Sequence, residues 1–137
     1  MKDINSISSY KRDEVVEVNR SNFIIWNNQM KDTIKVDKVG SQIDVLPTLL
    51  NLFDIEYDSR LIIGQDILSN KNGIAIFSDR SWVTDCGTYF AADQKFVSKE
   101  NKEIPDGYLE RINKSVSNKF TMSNLLIKHN IYKDLVK

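Results

Sequence analysis

The chain has 137 residues, enough for one domain whose core buries roughly two-thirds of the unfolded surface. Nineteen basic residues cancel nineteen acidic ones, and 41% of the residues are apolar, the composition of an ordinary globular domain. The balance offers no basic excess to nucleic acid or an anionic membrane. No apolar run approaches the roughly 18 to 20 residues of a bilayer span, so a soluble chain without a membrane segment is expected. Met1-Lys2-Asp3-Ile4-Asn5-Ser6 lacks the apolar core of a signal peptide, which places any export or anchoring signal elsewhere.

Residues 1–19 are polar, carry no helical stripe and read as an irregular lead-in. Asn22-Phe23-Ile24-Ile25-Trp26-Asn27 is a short apolar run between polar residues, the pattern of a strand buried on both faces. Asn27 to Gly40 reads as a connection with a short extended piece at Thr33-Ile34-Lys35-Val36. A helix is predicted near 44–53, where Val45, Leu46, Leu49, Leu50 and Phe53 recur at helical spacing and would face a core. Pro47 belongs in its first turn, because the amides there have no intrahelical partner to lose. Asp44 is the predicted N-cap, its carboxylate accepting those orphan amides. Ser41, three residues before Asp44, offers a weaker capping-box alternative that would push Pro47 deeper.

A loop through Asp54 to Arg60 leads to Leu61-Ile62-Ile63 and Gly64. Asn70-Lys71-Asn72-Gly73 reads as a turn, since Asn-Gly tolerates positive φ. About four short strands follow, near 73–77, 81–84, 88–92 and 95–98, with intervals short enough for antiparallel hairpins. From Asp106 to about Asn130 the pattern is helical again. Tyr108, Leu109, Ile112, Val116, Phe120, Leu125, Leu126 and Ile127 form a loose apolar stripe, with Pro105 and Asp106 at its start. Lys128 and His129 sit near its end, where the helix dipole favours positive charge. The fold class is α+β: a small antiparallel sheet and a long C-terminal helix, without repeats, low-complexity segments or a linker.

Candidate chemistry is sparse. His129 is the one histidine, and no carboxylate or thiolate cluster with ligand-like spacing surrounds it, so it reads as a helix-terminal residue. Cys86 has no partner for an internal disulfide and reads as a small structural hydrophobe. Asp79-Arg80-Ser81-Trp82 with Asp85 is the most tempting polar group. Arg80 could hold a phosphate or sulfate oxygen and Trp82 could stack on a sugar. The plainer reading is a connection between strands with an exposed ion pair and a core tryptophan. Asp44 reads as a cap and Asp66 as a turn residue. Five scattered glycines make no phosphate cradle, and Asp13-Glu14 are adjacent and so diverge. The residues themselves indicate no catalytic, cofactor or metal site.

Ser41-Gln42-Ile43-Asp44-Val45-Leu46-Pro47-Thr48-Leu49-Leu50-Asn51-Leu52-Phe53 resembles the Asp-x-x-Pro-Thr segment of the sulfatase-like enzymes. The likeness is greatest to the lipoteichoic acid synthase branch, phosphoglycerol transferases of the alkaline phosphatase superfamily. Three further stretches resemble that family in the same order. They are Arg20 to Trp26 before the motif, Ile63-Gly64-Gln65-Asp66-Ile67-Leu68-Ser69 after it, and Ile76 to Val97 as closing strands. The resemblance spans roughly residues 20–130. It implies that 20–69 ends a large α/β part and that 70–137 forms the smaller C-terminal part.

For the complete enzyme it further implies a threonine nucleophile activated by Mn²⁺ or another divalent metal, held by a Glu, that Thr and an Asp-His pair. This chain contains no Asp-His dipeptide, so no catalytic, cofactor-binding or metal residue is carried onto it, and alone it is expected to be inactive. The implied partners are the remainder of the catalytic domain and, for the whole enzyme, a lipid or phosphoglycerol substrate. The implied location of the parent is membrane-anchored with an extracellular catalytic domain. The alternatives are a fragment of a sulfatase or phosphoethanolamine transferase, or a non-catalytic structural or binding module.

Overall fold

The computed structural model of the chain describes residues 16, 19–29, 31–100 and 102–134; the lead-in expected over 1–19 lies mostly outside them. The chain divides into two units, Met1–Ile34 and Lys35–Lys137. In the first, the strand expected at 22–27 does not form. The backbone there is irregular, and Ile24 and Trp26 are 81% and 80% exposed. A strand buried on both faces needs neighbouring strands and a layer over each face, and the described residues of that unit supply neither. The extended piece expected at 33–36 joins no sheet either.

The second unit begins with a 3₁₀ turn, Gln42–Asp44, that runs directly into α1, Val45–Leu52. Another 3₁₀ turn, Ser59–Leu61, precedes β1 (Ile74–Ile76), β2 (Trp82–Thr84), β3 (Gly87–Phe90) and β4 (Lys95–Ser98). The long helix α2, Tyr108–Lys128, and a last 3₁₀ turn, Ile131–Asp134, follow. The four strands form an antiparallel meander in the order β1-β2-β3-β4, as the alternating pattern and short intervals predict.

The register sets Ile76 opposite Trp82, Trp82 opposite Tyr89, and Tyr89 opposite Phe96, a row of large side chains across one face of the sheet. Side chains alternate between faces along each strand, so this row is what α2 covers. Trp82 is fully buried, stacked on Tyr89 with ring centroids 5.4 Å apart and tilted against Phe96 at 5.6 Å. Tyr108, the first residue of α2, meets Trp82 edge-on at 6.2 Å, and Val116 closes the cluster two turns later. Both aromatic polar groups find partners, as buried ones must. Trp82 Nε1 donates to Asn113 Oδ1 at 2.8 Å, and the Tyr108 hydroxyl donates to Thr84 Oγ1 at 2.9 Å. Gly87 leaves the space that the Phe96 ring fills, since a Cβ there would lie 2.6 Å from Phe96 Cζ.

The C-terminal part of the predicted stripe needs correction. Leu126 is buried, but Leu125 and Ile127 are exposed. Three consecutive helical residues fan over roughly 200°, so one of them can face inward while its neighbours turn away.

Burial is the main reason that the Tyr108 hydroxyl has a pKa above its ordinary value. A folded pKa above the unfolded one means that this contribution to stability is complete below about pH 10 and is lost as pH rises through the folded value. Tyr108→Phe is expected to cost about 1 kcal/mol at neutral pH through the lost hydrogen bond. It should also melt with a shallower decline above about pH 10 than the parent. Thermal melts followed by circular dichroism across the alkaline range check this. Parallel declines in both proteins would exclude Tyr108 as the source.

Candidate functional site

Two of the four stretches that carry the family resemblance, 41–53 and 63–69, meet at one polar junction built on the buried Asp44 and Thr48. Ser41, with extended backbone (φ −132°, ψ 161°), opens the helical stretch, and the Asp44 N–H closes the 3₁₀ turn onto the Ser41 carbonyl at 3.0 Å. Asp44 is only 4% exposed, and its carboxylate caps no amide of α1. Oδ2 instead accepts from the Ser41 N–H at 2.9 Å, and Oδ1 accepts from the Gln65 N–H at 2.8 Å. The expected Asp44 cap is thus corrected to the Ser41 alternative, because a half-buried amide 21 residues away claims the carboxylate. Pro47 is the third residue of α1 but the sixth of the helical stretch that Ser41 opens, deeper than an Asp44 cap would have placed it.

One turn on, Thr48 Oγ1 donates to the Asp44 carbonyl at 2.6 Å and accepts from the Ile67 N–H at 2.9 Å. Asn51 Nδ2 donates to Asp66 Oδ2 at 3.0 Å. Residues 44, 48 and 51 lie on one face of the helix, so a polar stripe grips segment 65–67. Gly64 permits the close approach: a Cβ there would stand 1.9 Å from the Ile43 carbonyl oxygen. Gly73 acts in the same way against the Val39 carbonyl oxygen, at 1.8 Å, and not through the positive φ expected of its turn.

This grip rotates α1 away from the predicted orientation. Pro47, Thr48 and Leu50 are buried, while Leu46 and Phe53, assigned to the core by their spacing, are 47% and 66% exposed. Lys119 of α2 reaches the same stretch, its ammonium donating to the Ile63 carbonyl. Burial lowers the Lys119 pKa; the Asp44 carboxylate opposes that shift and the Lys71 charge adds to it.

The remaining candidates have structural roles, and all but Asp66 stand apart from this junction. Asp79 holds a turn, accepting from the Ser81 N–H at 2.9 Å and the Ser81 hydroxyl at 2.8 Å. The ion pair expected in this connection does not form: Arg80 takes a positive φ of 69° in that turn and lays its guanidinium 5.3 Å from the centre of the Phe120 ring. Trp82 is core, and Asp85 Oδ1 accepts from the Val39 N–H at 3.4 Å. Asp66 fixes its own turn, accepting from the Leu68 N–H at 2.9 Å. Cys86 is half-buried beside the Trp82 cluster, and His129 caps α2 with its N–H on the Leu125 carbonyl at 3.0 Å. Among the described residues no three His, Cys, Asp or Glu side chains gather as metal ligands would.

Two features escape a reading of the sequence. The 44, 48, 51 polar spacing was a signal for an inward polar stripe, outweighed by the more numerous leucines. Nothing local marks Lys119, whose partner lies 56 residues away. Comparison of the chain with protein-family models, with curated proteins and with solved structures finds no match. Among the described residues, no helix is long and apolar enough to cross a membrane.

Asp44→Ala removes the acceptor from two amides, so the loss should be about 3 kcal/mol, against the ~1 kcal/mol of an ordinary cap. Urea unfolding measures it, and a loss no larger than a cap's would show that the Gln65 tie is unimportant. Gly64→Ala drives a methyl group into the Ile43 carbonyl and should cost about 2–3 kcal/mol. Gly107→Ala meets no atom within 4 Å. It should cost only about 1 kcal/mol of left-handed backbone strain. Equal losses at the two glycines would refute the close-approach argument.

Proposed function

We propose that the chain is the C-terminal segment of a metal-dependent phosphoglycerol transferase of the sulfatase-like family, acting in synthesis of a cell-envelope polymer. In this reading it provides scaffold and not reacting groups. The supporting observation is the junction itself. Two stretches that resemble the family separately, around Asp44 and around Gln65, satisfy each other's buried polar groups through the Asp44–Gln65 and Thr48–Ile67 hydrogen bonds. A chance likeness of two short segments carries no such requirement.

The orientation of α1 supports the same reading. Its polar stripe faces inward, while Ile43, Leu46 and Phe53, spaced as a helical stripe, face solvent. An apolar stripe left outside marks a surface that packs against something else. The remainder of the catalytic domain is the partner that the family reading supplies. The family's divalent metal does not fit the donor set here, since the described residues bring no ligand group together. The nucleophile, the metal and the groups that hold it are therefore assigned to that remainder, and no chemical step to this chain.

Residues 1–137 titrated calorimetrically with Mn²⁺ should show no stoichiometric site, and they should hydrolyse neither phosphodiesters nor sulfate esters. One tight site would put the ligands inside this chain and overturn the reading. Extending the coding sequence upstream provides the complementary test. A membrane-spanning region, a Thr-bearing motif and an Asp-His pair in the same frame are expected, whereas a frame that opens at Met1 would sink the proposal.

A further inference from the structure

An open groove of about 420 Å³ runs along α2 beside Ile62 and Ile63. Its charged lining consists of Arg111, Lys114 and Lys119, with no carboxylate. In a chain whose charges cancel, that concentration of one sign is local and not a reflection of general basicity. The ion pairs among the described residues, Lys35–Asp37 and Arg60–Asp58, lie elsewhere and neutralise none of the three.

The spacing says what kind of anion suits the groove. Positions 111, 114, 115, 118 and 119 follow one face of the helix, so Arg111 and Lys114 are neighbours, as are Ser115 and Lys119. From Arg111 to Lys119 is about 12 Å along the axis, too far for one small anion to satisfy both ends. Arginine offers a planar fork to an oxyanion, lysine a point charge, and Ser115 and Asn118 add neutral donors. Lys119 is half-buried, and its ammonium donates to a neutral partner, the Ile63 carbonyl. Burial disfavours its charge, a penalty that a bound anion would offset.

We propose that this groove is a binding site for an anion bearing two or more linked phosphoryl groups. Arg111 and Lys114 engage one group, and Lys119 with Ser115 engages the next. The site is independent of the family origin proposed above, because it uses only residues of this chain and involves no catalysis.

Tripolyphosphate titrated into the full chain at low ionic strength is the test, read by calorimetry and by amide chemical shifts. Saturable one-to-one binding is expected, with orthophosphate at least about tenfold weaker. Added salt should weaken it as the charges are screened. Arg111 and Lys114 are exposed, and Arg111 lies 5.7 Å from the centre of the Tyr108 ring, so Arg111→Gln with Lys114→Gln should lower the melting temperature only slightly while reducing affinity at least about tenfold. Lys128→Gln, at the far end of the same helix, should bind as the parent does. The proposal fails if the double variant binds undiminished, if Lys128→Gln loses as much, or if orthophosphate binds as tightly. It also fails if no saturation appears by about 10 mM.

Discussion

A buried carboxylate shared between two backbone amides organises the unit from Lys35 onward. Asp44 accepts from Ser41 on its own turn and from Gln65 across the chain, and Thr48 repeats the arrangement toward Ile67. Leaving any of these amides buried and unpaired would cost on the order of 1–3 kcal/mol each. The rotation of α1 about its axis therefore follows from hydrogen-bond satisfaction more than from hydrophobicity. Gly64 is the steric counterpart: the two backbones lie so close that no side chain fits between them. The exposed stripe of Ile43, Leu46 and Phe53 follows directly, because a helix that turns its polar face inward turns leucines outward.

The sheet and α2 obey the more usual rule. Strands of three or four residues bury little by themselves, and the meander coheres because Trp82, Tyr89 and Phe96 stand in register under one helix. Tyr108 ties the helix start to β2 through Thr84, and Asn113 answers the indole N–H one turn later. The same helix presents the Trp82 contacts on one side and the Lys119–Ile63 contact on another. It thereby links the aromatic core to the segment that Asp44 grips.

These two halves give the chain its functional character. The residues that resemble a metal-dependent transferase are occupied with holding backbone, and their polar atoms point at amides and not at a common centre. A separate set of side chains on α2 is cationic, open and unneutralised by ion pairs. Apart from Lys119 and its partner Ile63, the scaffold and the proposed anion groove sit on different residues, so Arg111 and Lys114 can be changed without disturbing the Asp44 junction.

The sequence by itself determined the elements whose cause is local. Alternation and short turns placed four strands in the right order, a proline near the start placed α1, and a long apolar periodicity placed α2. It also put Asp66 and Asp79 in turns and Trp82 in the core, because each role depends on neighbours within a few residues. Tertiary structure alone decided the rest. Whether Asp44 caps its own helix or holds Gln65 depends on an amide 21 positions away. Whether Phe23 to Trp26 become a strand depends on partners that those residues do not carry. Which of Leu125, Leu126 and Ile127 is buried, and that Lys119 meets a carbonyl 56 residues distant, depend on how α2 lies against the rest of its unit. Periodicity records which residues can share a face; only the packed chain settles which face is turned inward, because a buried polar group must find its partner wherever in the sequence that partner lies.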